Sequence, residues 1–277
     1  MILSAGSKTF LIGEYSVLFG GSAVVLLTPP AFELQLIEKS SELIGVHESS
    51  PAGKFYAKHR DIFENMSLTF ADVHHEGGGF GASSAQFMLL YKLMLHITGA
   101  AFDIKKFLEE YRTLAGNGDV LPSGADCVCQ FLNHHIYFDS KTCTAEPIEF
   151  DLQNIAFAIF KTNFKVATHE HLRTLHSDFD ISELQECTQN VANGLKTKNE
   201  KLVINGVNDF FQHLCEMNLV LPQTKETVSQ LKKDSAILAA KGCGALGADT
   251  VIVLYEKGAK NRVISAANNL GLKTVVS

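Results

Sequence analysis

The segment from Ser83 to Ile97 constrains the fold more than any other part of the sequence. It reads SSAQFMLLYKLMLHI, is apolar on nearly all sides at helical spacing, and is followed by Thr98 and Gly99. A helix that is apolar all round must be covered on every side, which places it inside a large core. With 277 residues, 46% of them hydrophobic, the chain can build such a core without disulfides or a structural metal.

The other periodic segments alternate between strand-like and helix-like patterns. Runs rich in β-branched and aromatic residues predict strands at 23–28, 32–38, 67–73, 148–151, 154–162, 236–241, 250–255 and 273–277. Further helices are predicted at 103–115 with Asp103 as N-cap, from about 182 with a capping box of Ser182 and Gln185, and at 199–219, 222–233 and 260–270. Strands first, and strands interleaved with helices later, predict an α+β fold of two domains, 1–150 and 151–277.

Charge and cysteine usage narrow the class of protein. Lys and Arg number 24 against 30 Asp and Glu, and this acidic balance without basic clusters argues against nucleic-acid binding. The N-terminus lacks a signal-peptide pattern, and no run reaches the roughly 18–20 apolar residues of a membrane span. We therefore expect a cytoplasmic protein with no membrane partner. The six cysteines lack metal-type spacing and are interpreted as core residues, and the paired histidines as structural or surface residues.

A glycine-rich segment leads directly into the apolar helix. It reads EGGGFGASSA at 76–85, and glycines let the backbone approach a ligand closely. The first turn of a helix presents unpaired N–H groups with partial positive charge, which suits a phosphate group. Ser83 and Ser84 add hydroxyls that could bind phosphate or a metal. The sequence leaves two interpretations of this segment: a phosphate-binding site, or a flexible turn capped by serine.

Two further segments and one lysine have both a chemical and a structural interpretation. LPSGADCVCQ at 121–130 places Asp126 after a tight turn, either as a base for a substrate hydroxyl or as a helix cap. AAKGCGALGAD at 239–249 is a glycine turn between two apolar strands, with more glycines than a plain hairpin requires. Lys8 could neutralise transferred phosphate or be an ordinary surface lysine.

Taken in order, these segments resemble the motifs of the GHMP small-molecule kinase family. The first motif, A-P-G-K with a following G-E-[YH]-x-V, is matched by Ala5, Lys8, Gly13, Glu14, Tyr15 and Val17, with Gly6 and Ser7 in place of Pro-Gly. The second, G-L-G-S-S-A, is matched from Gly81 to Ala85, with Phe80 at the first glycine. The third is matched by Lys241, Gly244, Ala245, Gly247 and Asp249, with Leu246 and Ala248 in place of glycines. The P-S-G-x-D element of mevalonate-type members is intact at Pro122, Ser123, Gly124 and Asp126.

The resemblance implies two α+β domains, an N-terminal mixed α/β domain and a C-terminal ferredoxin-like domain, with ATP and Mg²⁺ as cofactors. It assigns nucleotide binding to Gly79, Gly81, Ala82, Ser83, Ser84, Gly244 and Gly247. Asp126 becomes the catalytic carboxylate and Lys8 its cationic neighbour, while Ser84 becomes a metal ligand. Substrate binding falls to Ser123, Lys165, Thr168, Arg173 and Ala245.

The implied activity is ATP-dependent phosphorylation of a small acidic alcohol of the mevalonate pathway. GEYSVLFGG and Asp249 resemble phosphomevalonate kinases, which we prefer, whereas PSGAD resembles mevalonate kinases. A catalytically weak nucleotide- or metabolite-binding protein is a further alternative, because Phe80 and Leu246 replace glycines and Ala115 stands where mevalonate kinases carry a glutamate. An ATP-dependent diphosphomevalonate decarboxylase fits PSGAD less well. The expected partners are ATP and a small substrate, with the protein a monomer or homodimer.

Overall fold

The computed structural model describes residues 1–38, 41–74, 79–116, 120–164, 166 and 180–276. Its first half contains strands β1 Ile2–Ile12, β2 Ser22–Glu38, β3 Glu42–Ile44, β4 Met66–Ala71, β5 Ile136–Asp139 and β6 Thr144–Pro147. The helices of this half are α1 Pro51–Lys58, α2 Ala82–Thr98, α3 Ile104–Ala115 and α4 Ala125–Leu132. The second half contains β7 Ile155–Lys161, α5 Ser182–Thr197, α6 Glu200–Glu216, α7 Pro222–Leu231, β8 Ile237–Cys243, β9 Thr250–Glu256, α8 Lys260–Asn269 and β10 Lys273–Val276.

The larger sheet is organised around the long strand β2. The strand order is β3-β4-β2-β5-β6, and β1 also pairs with β2 in antiparallel register. The β1–β2 ladder shifts register between Gly6 and Ser7, opposite the cis peptide bond that joins Pro29 to Pro30. This ladder carries Lys8 opposite Leu27 and so fixes the position of the first motif in the sheet.

Helix α2 lies in the core beside this sheet, as its sequence predicted. It packs against α1, α4 and β1, and Phe87 and Leu90 are fully buried. Phe87 contacts Phe55 edge-on at 5.3 Å between ring centroids and Phe107 at 5.4 Å, so aromatic rings join α1, α2 and α3. Because the middle of α2 is buried, its first turn is held firmly at the end of the glycine-rich segment.

The smaller sheet has ferredoxin-like topology. Its strand order is β10-β7-β9-β8, every neighbouring pair is antiparallel, and helices separate β7 from β8 and β9 from β10. On β9, Val251 and Val253 face the core formed with α7 and α8, whereas Ile252 and Leu254 face the main core that includes α5 and α6. The α+β architecture with a ferredoxin-like second half is therefore confirmed, while the division at residue 150 stays a prediction.

Three details of the predicted elements are wrong. The two predicted strands at 23–28 and 32–38 are parts of the single strand β2. The run at 148–151 is not a strand. Its apolar residue Ile148 is buried, at 4% exposure, although the backbone there is irregular. Ser182 is the first residue of α5 rather than the capping residue, since the Asp180 carboxylate accepts from its N–H at 2.9 Å. Gln185 is used elsewhere, because its Oε1 accepts from the Ser22 N–H at 2.8 Å.

Several elements have no strong signal in the sequence and were not predicted. They are the short strands β3, β5 and β6 and the helices α1 and α4. Each is eight residues or shorter, so periodicity has little length in which to show itself. All six cysteines are free thiols and four are buried, as expected for core residues. Across the described ranges, no helix is both long and apolar enough to cross a membrane.

Candidate functional site

Three chain segments that are distant in sequence meet around Lys8. Lys8 lies on β1, and its backbone N–H donates to the Phe80 carbonyl at 2.9 Å, directly before α2. Its Nζ lies 3.8 Å from Oδ2 of Asp126 in the first turn of α4. The two side chains are 14% and 22% exposed, so the pair is partly open to solvent. The structure thus brings together the lysine and the carboxylate that the sequence analysis singled out.

The glycine-rich segment forms a cradle at the N-terminus of α2. Gly81 is the N-cap residue with φ +87°, and no described side chain caps the helix. A Cβ at Gly81 would lie 2.7 Å from Lys8 Cγ and 2.9 Å from Ser84 Oγ, so only glycine lets the lysine stem pass. Ala82 opens the helix, Ser83 is exposed, and the first N–H groups remain available for an anion.

Ser84 differs from its neighbour in burial. It is 2% exposed, and its hydroxyl donates to the Gly81 carbonyl at 2.9 Å. A hydroxyl oxygen keeps lone pairs after donating its proton, so Ser84 can still accept or ligate. The bond meanwhile ties the helix turn to the glycine that precedes it.

Asp126 owes its position to the turn that precedes α4. Gly124, with φ +76°, is the N-cap residue, and Asp126 is the second residue of the helix, which contradicts its interpretation as a helix cap. The Arg112 guanidinium donates to the Ser123 carbonyl at 2.7 Å, and Ser123 Oγ accepts from the Ala125 N–H at 3.3 Å. Asp126 Oδ1 accepts from the Cys127 N–H at 3.0 Å, which leaves Oδ2 facing Lys8.

The third motif forms the turn between β8 and β9 and reaches the cradle. A Cβ at Gly79, whose φ is +93°, would lie 2.6 Å from the Cβ of Asp249. Gly244 also has positive φ, +87°, and a Cβ there would overlap the Asp249 carboxylate. The glycine-rich segment and the third motif are therefore in contact through Gly79 and Asp249. Ala245 and Gly247 are buried behind it, in a short helical turn.

Leu246 keeps a glycine-type backbone without being glycine. Its φ is +52° and its ψ is +24°, in the left-handed region, whereas Ala248 has an ordinary φ of −81°. Two hydrogen bonds hold this conformation: the Leu246 N–H donates to the Tyr15 hydroxyl at 3.1 Å, and the Leu246 carbonyl accepts from the Leu221 N–H at 3.0 Å. Burial raises the pKa of Tyr15, so this hydroxyl stays protonated.

A second lysine–carboxylate pair lies deeper. Lys241 is fully buried, and its Nζ lies 2.7 Å from Oε1 of Glu14, whose side chain is 9% exposed. Burial alone would lower the pKa of Lys241, but the Glu14 carboxylate and a hydrogen bond from Nζ to the Cys243 sulfur hold the pKa above its ordinary value. Burial raises the pKa of Cys243, whose thiol donates to the Phe10 carbonyl at 3.4 Å. The pair therefore ties the first motif to the third.

Gln130 is a site residue that the sequence analysis missed. It is 1% exposed, and its Nε2 donates to the carbonyls of Gly6 at 2.9 Å and Gly81 at 3.2 Å. Gln130 therefore connects β1 to the glycine at the start of the cradle through two hydrogen bonds. Its position four residues after Asp126, on the same side of α4, is the signal that could have revealed it.

The donor set suits a nucleotide phosphate and gives less support to a metal. A cradle for an anion is formed by Gly79, Gly81, Lys8 and the first turn of α2, which no described side chain caps. The described part of the chain has no group of three or more His, Cys, Asp or Glu that could hold a metal ion. Mg²⁺ in kinases is held largely by phosphates and water, so Ser84 with one carboxylate is compatible with it. Lys165, Thr168 and Arg173 lie outside the described residues.

Comparison with known proteins identifies the architecture. No protein-family model matches the sequence, and no curated protein matches it. Solved structures do match, and the fold they define is that of the GHMP small-molecule kinases.

Three of these structures illustrate the likeness. Streptococcus pneumoniae phosphomevalonate kinase in complex with phosphomevalonate and AMPPNP matches with a TM-score of 0.80 at 15% identity, over 99% of this chain and 98% of that one. Methanococcus jannaschii mevalonate kinase gives 0.74 at 14% identity, over 99% and 96%. Lactococcus lactis galactokinase complexed with galactose gives 0.74 at 12% identity, over 99% and 92%.

Proposed function

We propose that the protein is an ATP-dependent kinase that transfers a phosphoryl group to the hydroxyl of a small acidic alcohol. The observation that carries the proposal is the Lys8–Asp126 pair, 3.8 Å apart beside the N-terminus of α2, which no side chain of the described residues caps. Phosphoryl transfer needs positioning and charge neutralisation more than covalent chemistry, and this arrangement supplies an anion cradle, a cation and a carboxylate. The full-length likeness to kinases of one fold supports it.

Each residue has a part in the transfer. The N–H groups at the start of α2, with Ser83, hold the nucleotide phosphates, and Lys8 offsets their negative charge. Asp126 Oδ2 accepts the proton of the acceptor hydroxyl, whose oxygen forms the new bond to phosphorus as the bond to ADP breaks. Gly244, Ala245 and Gly247 shape the floor of the site. Ser84 and the phosphates would hold Mg²⁺, which would supply further charge neutralisation.

Phosphomevalonate is the acceptor that we prefer. The S. pneumoniae structure that matches over nearly the whole chain contains phosphomevalonate and a nucleotide analogue. GEYSVL and Asp249 also resemble phosphomevalonate kinases. In this proposal, Ser123, Lys165, Thr168 and Arg173 contact the acidic substrate. We further propose division into domains 1–150 and 151–277, a cytoplasmic location, and a monomer or homodimer.

A substrate panel tests the proposal. Purified protein is assayed for ADP release with Mg²⁺ and ATP against phosphomevalonate, mevalonate, galactose and homoserine, and for carbon dioxide release with diphosphomevalonate. ADP release that is fastest with phosphomevalonate supports the proposal, and a preference for mevalonate would redirect it to mevalonate kinase. Folded protein that releases no ADP with any acceptor contradicts the enzyme assignment.

A catalytically weak nucleotide-binding protein is the second candidate. The observation that favours it is the burial of Ser84, only 2% exposed and already bonded to Gly81. Such a protein would bind ATP without productive metal placement. Calorimetry separates the two candidates, since ATP binding without turnover supports the weak binder and ordinary turnover removes it.

A further inference from the structure

We propose that His74 is a positioning residue that locks the strand carrying Lys8 to the phosphate cradle. The proposal rests on the proposed function for its catalytic consequence. His74 follows β4, and its backbone N–H donates to the Asp72 carboxylate at 2.9 Å, which fixes the end of that strand. The imidazole then contacts one residue of the first motif and one of the second.

The contact with the first motif is a hydrogen bond to Ser7. The Ser7 hydroxyl donates its proton to the Pro30 carbonyl at 2.6 Å. His74 Nε2 lies 2.7 Å from the same oxygen, which must therefore accept from an Nε2–H. Ser7 lies at the register shift of the β1–β2 ladder, directly before Lys8, so the bond holds that shift in place.

The contact with the second motif is a stack on Phe80. The rings of His74 and Phe80 have centroids 4.2 Å apart and an interplanar angle of 13°, and Phe32 flanks the imidazole at 5.4 Å. Phe80 is 1% exposed, so its side chain turns into the core and leaves the cradle clear. It directly precedes Gly81, and its carbonyl accepts from the Lys8 N–H.

The two contacts explain a pair of departures from the kinase motifs. Ser7 and Phe80 both occupy positions where the resemblance leads to glycine. Glycine at Ser7 would remove the hydroxyl that His74 binds, and glycine at Phe80 would remove the ring that it stacks on. One imidazole therefore contacts both of the residues that replace glycine.

Hydrogen exchange tests the lock in the free protein. His74→Phe keeps an aromatic ring and loses the donor, and His74→Gln keeps a donor near Nε2 and loses the stack. We expect the Lys8 amide to exchange about 2- to 10-fold faster in His74→Phe, as the loss of one hydrogen bond predicts, and less so in His74→Gln. His96→Phe, an exposed change at the far end of α2, should leave this exchange unchanged. Unchanged Lys8 exchange in folded His74→Phe and His74→Ala proteins would overturn the proposal.

Steady-state kinetics test whether the contacts of His74 affect nucleotide binding. We expect His74→Phe to raise KM for ATP about 2- to 10-fold and leave KM for the acceptor unchanged, since the lock bears on the phosphate cradle. Purely structural damage would lower Tm without separating the two KM values, and that result would count against the positioning role. Should the wild-type protein phosphorylate no acceptor, the proposed function fails, and the exchange of the Lys8 amide still decides whether His74 holds the two segments together.

Discussion

Two lysine–carboxylate pairs each have one member in the first motif, and the two pairs differ in their exposure to water. Lys8 and Asp126 are 3.8 Å apart and 14% and 22% exposed, whereas Lys241 and Glu14 are 2.7 Å apart and 0% and 9% exposed. The open pair has the longer distance, and its Asp126 Oδ2 faces Lys8, whose side chain passes close to Gly81 of the cradle. The buried pair is close, and each partner is needed to offset the desolvation of the other.

This difference in exposure suits one pair to catalysis and the other to stabilising the fold. A charge that must bind a substrate and exchange a proton has to remain accessible, and partial exposure provides this. A buried charge without its partner is strongly destabilising, so a close buried pair holds two segments in one arrangement. The open pair should therefore control turnover, and the buried pair should control the free energy of unfolding.

The largest expected effect comes from Asp126→Asn. This change keeps the size and polarity of the side chain and removes the base, so kcat should fall by about 10²–10⁴-fold. Stability should change by less than about 1 kcal/mol, because the pair is partly solvated. Steady-state kinetics and urea unfolding of the same preparation measure both effects. An enzyme that keeps more than half of its turnover would end the catalytic assignment.

Lys241→Met should give the opposite pattern. It leaves the Glu14 carboxylate buried without a partner, and we expect the free energy of unfolding to fall by about 3–5 kcal/mol. The double variant with Glu14→Met should recover much of that loss, because a well-packed apolar pair can replace a buried ion pair. Lys198→Met, which breaks the exposed pair with Asp151, is the control and should cost little. Equal losses in the buried and exposed pairs would erase the distinction drawn between them.

Gly79→Ala tests the contact between the cradle and the third motif. Its positive φ costs an L-residue about 1–2 kcal/mol, and the new Cβ would also press on Asp249. Gly20→Ala is a matched control, because Gly20 has φ +82° with nothing near the added carbon. We expect a larger loss of stability in Gly79→Ala than in Gly20→Ala, with a raised KM for ATP in Gly79→Ala alone. Matching KM values in the two variants would exclude Gly79 from the nucleotide site.

The smallest effect concerns the half-buried imidazole of His135. Burial lowers the pKa of His135, and its Nδ1 accepts from the Leu27 N–H at 2.9 Å, which requires the neutral ring. As pH falls from about 6.5, the unfolded state binds a proton before the folded state does, so the free energy of unfolding should fall. His135→Asn keeps an acceptor near Nδ1 and should flatten this dependence in urea unfolding between pH 7 and pH 5. An identical pH dependence in both proteins would show that His135 titrates normally.

The prediction from sequence succeeded where a local signal is long or chemically specific. Helix α2 was predicted within one residue at each end, since seventeen consecutive helical positions carry its apolar pattern. Asp103 caps α3 as expected, because its carboxylate accepts from the Lys105 N–H at 2.9 Å. The prediction missed α1 and α4, whose eight residues each give too few turns for periodicity to be decisive. It also missed Gln130, whose partners Gly6 and Gly81 lie far away in sequence.

The amino-acid sequence by itself determined the order of the motifs, the buried helix and the glycines that lead into it, because these depend on local geometry and composition. Only the tertiary structure decided which charges meet. Lys8 and Asp126 are 118 positions apart, as their numbering shows, and Lys241 and Glu14 are 227 apart. Their pairing follows from the stacking of β1, α2, α4 and β8. Burial, which makes one pair a candidate for catalysis and the other structural, exists only once those layers have packed.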